Sequence, residues 1–151
     1  MGISALTGND TIEIGGILLN DFGDGDVANF TYPNELVTPK TGKNGNSIYA
    51  FNETGKQVDL VLRVLVGSPD DKRLNSLKVA MESDFPSFTL LDGNFVKRIG
   101  DGSGNVSNVS MTTSGGTFTK GIDGKSNAEG DTEQAIATYN FKFTNSKRKI
   151  A

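Results

Sequence analysis

The chain has 151 residues, a hydrophobic fraction of 35%, 19 glycines and a net charge of −3 from fifteen basic and eighteen acidic residues. That length suits one domain with a core of its own, and the absence of histidine and cysteine removes disulfides, thiolate nucleophiles and the usual zinc ligand sets. Mild acidity argues against binding nucleic acid through phosphate neutralisation, and no apolar run approaches the roughly 20 residues of a spanning helix, so a soluble protein with no membrane partner and no cleaved leader is expected.

In chain order, Thr11 to Leu19 (TIEIGGILL) sets Ile12 and Ile14 on one face and then breaks at Gly15-Gly16, which predicts two short strands or one bulged strand. Asp21 to Asp26 (DFGDGD) is a turn by composition. Val27 to Tyr32 alternates until Pro33 and is expected to return as a hairpin on the preceding strand. Leu36 to Asn46 carries turn formers at Pro39, Gly42 and Gly45, with Lys40 and Lys43 unaccompanied by acids, and predicts a long exposed loop. SIYAF then places Tyr49 and Phe51 on one face of a short strand.

The strongest strand pattern follows. Val58, Leu60, Leu62, Val64 and Val66 share one face, against Asp59, Val61, Arg63 and Leu65 on the other. A strand so apolar belongs inside a sheet, with its second face partly covered by a helix, a neighbouring sheet or another subunit. Ser68, Pro69, Asp70 and Asp71 then form a helix start, because a capping hydroxyl, a proline in the first turn and carboxylates all suit the free N–H end. The helix is expected from Pro69 to about Ser83, with Leu74, Leu77 and Met81 facing inward and Val79 and Ala80 beside them.

Beyond it, Phe88 to Leu91 and Phe95 to Ile99 flank Asp92-Gly93 as an apparent hairpin, and GDGSGN (100–105) is a turn. Val106 to Thr113 alternates weakly, and Ser114 to Asp131 is glycine-rich and polar. Gln134 to Thr144 alternates Ala135, Ala137, Tyr139, Phe141 and Phe143 on one face, and Lys147 to Lys149 closes the chain as a solvated basic end. One domain over 1–151 results, mainly β with one α-helix, with long loops at about 36–57 and 114–133.

Chemical motifs are thin. The stretch from Asp101 places Val106 where a calcium loop needs glycine and Thr112 where it needs a bidentate glutamate. Neither glycine-rich phosphate signature lies between a strand and a helix, and without histidine or tryptophan neither a proton shuttle nor a sugar-stacking platform is provided. No enzyme activity, metal or cofactor is expected.

Two segments carry a resemblance: TIEIGGILLNDFGDGD (11–26) and TGKNGNSIYAFNETGKQVDLVLRVLVGSPDDKRLNSLKVAM (41–81). In order and spacing they resemble the tail-tube proteins of contractile-tailed bacteriophages and the related tubes of bacteriocins and injection systems, over about the first hundred residues. The resemblance implies a β-sandwich or partly closed antiparallel barrel flanked by a helix, and hexameric rings that stack with themselves and meet sheath and tail initiator or terminator proteins. It implies ring stacking through Lys40, Lys43, Asn44, Tyr49 and Phe51, and a virion tail, assembled in the host cytoplasm, whose lumen passes DNA without binding it specifically. Asp21, Asp24, Asp26 and Asp59 are the lumen candidates, since like charge keeps a polyanion moving. A monomeric ligand- or carbohydrate-binding β-sandwich module is the alternative, and oligomerisation separates the two.

Overall fold

A computed structural model describes residues 5–6, 11–22, 27–125 and 135–150. The strands are β1 (Ala5–Leu6), β2 (Thr11–Ile14), β3 (Ile17–Leu19), β4 (Ala28–Thr31), β5 (Val37–Thr41), β6 (Ser47–Phe51), β7 (Val58–Leu65), β8 (Leu91–Gly100), β9 (Val106–Phe118), β10 (Asp123–Lys125) and β11 (Ile136–Ile150). One α-helix among the described residues, α1 (Pro69–Ser83), follows β7, and single 3-10 turns occupy Glu53–Lys56 and Phe85–Ser87. One antiparallel sheet runs β3-β2-β8-β9-β11-β7-β4, with β1 beside β8 and β10 beside β11, while β5 and β6 pair only with each other.

The sheet curls on itself. β4 lies four strands from β8, which on a flat sheet is about 19 Å at a spacing of about 4.8 Å per strand. Yet the rings of Phe30 on β4 and Phe95 on β8 meet edge-to-face with centroids 4.8 Å apart. Of the two architectures expected, the partly closed barrel is therefore the one adopted; a two-sheet sandwich is not. The concave side holds Ile12, Ile14, Val58, Leu60, Leu62, Val64, Tyr139, Phe141 and Phe143, with Leu74 of the helix packed among them. Burial of each such side chain contributes about 1.5–3 kcal/mol, so the alternation of β7 and β11 decides which face turns inward.

Local signals explain several elements. Gly15 and Gly16 both take positive φ (59° and 81°) and turn β2 into β3 as two short strands. Ser68 caps α1 by accepting from the Asp71 N–H at 3.2 Å. Leu74 is buried and Leu77 and Met81 pack on the core, but Val79 and Ala80 face solvent. The helix is tied to the sheet at its N-terminus. The buried Asp70 carboxylate accepts from the backbone N–H of Asn20 (2.5 Å) and Asp21 (2.7 Å), and Asp21 Oδ2 accepts in return from the Asp70 N–H at 3.2 Å. From β11, the Tyr139 hydroxyl donates to Asp71 Oδ1 (2.5 Å) and to the Asp71 carbonyl (3.0 Å).

The structure departs from several of these expectations. β4 does not fold back on β2 and β3; it pairs with β7, Ala28 opposite Leu62 and Phe30 opposite Leu60, which turns Phe30 into the core. The loop at 36–46 is instead one strand and the tip of the β5–β6 hairpin, since Pro39 is tolerated in a strand with no second neighbour. Asp92-Gly93 is no turn: β8 continues through it, because a Cβ on Gly93 would overlap Thr113 Oγ1 and the Phe95 ring, and the register with β9 shifts there. The glycine-rich stretch from Ser114 continues β9 to Phe118, with the Phe143 ring filling the space a Gly116 side chain would need. Lys147 to Lys149 are exposed, as expected of a solvated basic end, although their backbone extends β11 beside Thr112, Met111 and Ser110 of β9. Val66, expected on the apolar face of β7, lies just past its end and is 47% exposed, as Gly67 turns the chain into the helix cap. Of the remaining stretch to Asp131, residues 126–131 lie outside the described residues, as does Gln134.

Candidate assembly surface

The β5–β6 arm stands apart from the core. Its register pairs Val37 with Phe51, Pro39 with Tyr49 and Lys40 with Ile48. Paired residues share a face, and side chains alternate along each strand. One face therefore carries Val37, Pro39, Tyr49 and Phe51, and the other carries Thr38, Lys40, Ile48 and Ala50. Lys43 and Asn44 occupy the tip, where Gly45 takes φ 78° and the Gly42 N–H donates to the Asn46 carbonyl at 2.8 Å.

Little of the arm is covered. Ile48 and Tyr49 are each 71% exposed and Phe51 57%. An isolated two-stranded hairpin is at best marginally stable in water, so this one depends on its root and on whatever covers it. The root is firmly made. Asn52 donates through its backbone to the Leu36 carbonyl (2.8 Å) and through Nδ2 to Thr38 Oγ1 (2.6 Å), and Asn34 Nδ2 donates to Thr54 O and Gln57 Oε1. Gly55 is buried against Leu36 so closely that any Cβ would collide with its backbone. Lys56 Nζ sits 5.6 Å from the Phe51 ring centroid and 3.1 Å from Glu53 Oε2, holding the ring in position.

The five candidate stacking residues thus all fall on this arm, Tyr49 and Phe51 together on one face, Lys40 on the other, Lys43 and Asn44 at the tip. Val37, Pro39 and Ile48 join them, and sequence reasoning missed these because strand pairing across the tip was not evident. The lumen candidates do not converge. Asp21 is engaged at the α1 N-terminus and its carbonyl accepts from Leu65 at the far end of β7. Asp59 lies near the start of that strand, half-exposed, 3.9 Å from Lys142 Nζ. Asp24 and Asp26 lie outside the described residues.

Elsewhere the barrel opens in a groove of about 460 Å³ lined by Ile12, Ala28, Phe30, Phe95 and Met111, with Lys97 and Arg148 at its margin. Burial and the adjacent Asp71 carboxylate push the Tyr139 phenol well above its usual range, so it remains a donor. Asp101 is held below the usual carboxylate range by the Asn105 side chain and the Ser103 N–H, which fixes the β8–β9 turn. Among the described residues no group of three or more acidic side chains is arranged to hold a metal ion, and no helix is long and apolar enough to cross a membrane.

No protein-family model matches the sequence, and no curated protein matches it. Solved structures do match by shape. A chain of the anti-feeding prophage cap, which terminates the tube of that particle, superposes with a TM-score of 0.66 at 13% identity, covering 94% of this chain and 88% of that one. A chain of the sheath–tube complex of an extracellular contractile injection system (PVC), in its extended state, gives 0.63 at 10% identity over 94% and 88%. One from the sheath/tube terminator of the same kind of system gives 0.61 at 10% identity over 93% and 92%. The chain shares the tail-tube type of fold found in these contractile injection assemblies.

Proposed function

We propose that this chain is a structural, non-catalytic subunit of the tube of a tail-like contractile particle. Subunits join as hexameric rings, the rings stack, and the axial lumen conducts DNA into a host cell without binding it specifically. The observation that carries this reading is the arm: a hairpin built on a rigid root, with Tyr49 and Phe51 presented to solvent, on a fold shared with tube and cap chains. A contact made head-to-tail by such an element closes into rings or extends into stacks according to its rotation.

In the assembled tail, Tyr49 and Phe51 lie on the adjacent ring, and Lys40, Lys43 and Asn44 complete that contact. Sheath, initiator and terminator proteins are its further partners, and the particle is assembled in the host cytoplasm. Asp59 is the better lumen candidate of the two described, because its carboxylate is half-exposed whereas Asp21 is engaged by the helix. Net negative charge supports weak contact with a polyanion.

Sedimentation velocity over a concentration series tests the reading. Species growing through rings to larger particles are expected. A single monomeric boundary at every concentration, unchanged by added tail-initiation components, overturns it and favours the carbohydrate-binding module.

A further inference from the structure

The arm has a second face, and its apolar side chain, Ile48, has no role in the stacking contact above. Lys40 and Ile48 are cross-strand partners and project opposite to Tyr49 and Phe51. Ile48 is 71% exposed, and neither Lys40 nor Lys43 forms an ion pair with a described residue. An aliphatic anchor with one ammonium group beside it and another at the tip of the same arm, neither in an ion pair with a described residue, calls for an apolar seat with acidic margins.

The body carries such a seat. The last turns of α1, the Phe85–Ser87 turn and the start of β8 enclose an open groove of about 530 Å³ beside the Gly15-Gly16 turn. Leu77, Ala80, Phe88 and Leu91 supply its apolar lining, and at Gly16 no atom lies within 4 Å of where a Cβ would stand, which leaves that side open. Asp84 and Asp92 stand on its walls, both exposed and both without an ion pair among the described residues. Phe85 and Leu90 beside it are 58% and 50% exposed.

We infer that this groove is the seat for the Ile48–Lys40 face of the arm of a second copy of the chain. Ile48 enters between Leu77, Ala80 and Leu91, while Lys40 and Lys43 meet Asp84 and Asp92. The inference rests on the tube-subunit reading and assigns the surface that receives the arm. Complementary charge favours this occupant over others: two unpaired cations on one surface face two unpaired carboxylates on the other, an arrangement that sets partner and register more than raw affinity. Because donor and acceptor surfaces differ, a pair of copies joined in this way retains one free arm and one free groove, so the contact propagates.

Charge exchange tests it. Lys40→Asp with Lys43→Asp, and separately Asp84→Lys with Asp92→Lys, are each expected to raise the concentration for half-assembly about tenfold, one decade per 1.4 kcal/mol. All four changes in one chain are expected to restore it to within about threefold, since coupled sites deviate from additivity. Zero-length carbodiimide cross-linking of the assembled wild-type protein, read by mass spectrometry, should join Lys40 or Lys43 of one copy to Asp84 or Asp92 of another. A four-fold variant as defective as the two pairs combined, with unfolding midpoints unchanged and no such cross-link, overturns the docking inference while leaving the tube reading intact. A wild-type chain that never assembles overturns both.

Discussion

Replacing Tyr49 and Phe51 by serine removes the apolar face of the arm without touching the core. Full burial of an aromatic side chain contributes about 1.5–3 kcal/mol. With 71% of Tyr49 and 57% of Phe51 still exposed in the single subunit, covering them in an assembly leaves about 1–2 kcal/mol each to be gained. The pair is then worth about 2–4 kcal/mol per contact, or roughly a 30- to 700-fold rise in the concentration at which assembly begins. Fold stability should change by less than about 0.5 kcal/mol, because both side chains are solvent-facing. Sedimentation velocity across a dilution series reads the first quantity and urea unfolding followed by far-UV circular dichroism reads the second. Assembly at the wild-type threshold refutes the reasoning, as does an equal loss of fold stability, which would make the arm part of the core.

Three other perturbations probe the fold that presents the arm. Asp70→Ala leaves the N–H groups of Asn20 and Asp21 without their carboxylate acceptor and should cost about 2–4 kcal/mol, seen as a fall of several degrees in Tm by calorimetry. Thr113 is buried and its hydroxyl has no hydrogen-bond partner among the described residues, so Thr113→Val should stabilise by about 1 kcal/mol in urea unfolding. Burial and the Asp71 carboxylate raise the Tyr139 phenol above the ordinary tyrosine value of about 10, so its contribution is complete below that pH and is lost as pH rises further. Wild-type stability should therefore fall more steeply above about pH 10 than that of Tyr139→Phe, measured by unfolding at stepped alkaline pH.

Where sequence and structure agree, the cause is local. Ser68-Pro69-Asp70-Asp71 specifies a helix start with its own atoms, and the alternation in β7 and β11 chooses an inward face without reference to partners. Where they part, the deciding neighbour is distant. Asp92-Gly93 carries turn chemistry, but Thr113 across the sheet occupies the space that makes glycine necessary there. Gly116 is a strand residue because a phenylalanine ring 27 positions away fills its place. The arm shows the same split: alternation puts Tyr49 and Phe51 on one face, but Val37 and Pro39 join them only through pairing that Pro39 and the lysines conceal. Asp21 reads as a turn acid, whereas its carboxylate is engaged by the backbone of Asp70, 49 residues away.

Negative-stain electron microscopy of the purified chain across a concentration series tests the central claim most directly. Class averages with a hollow six-fold ring, giving way to stacked tubes as concentration rises, are the predicted result. Single subunits at every concentration, still single when tail-initiation components are supplied, would contradict it.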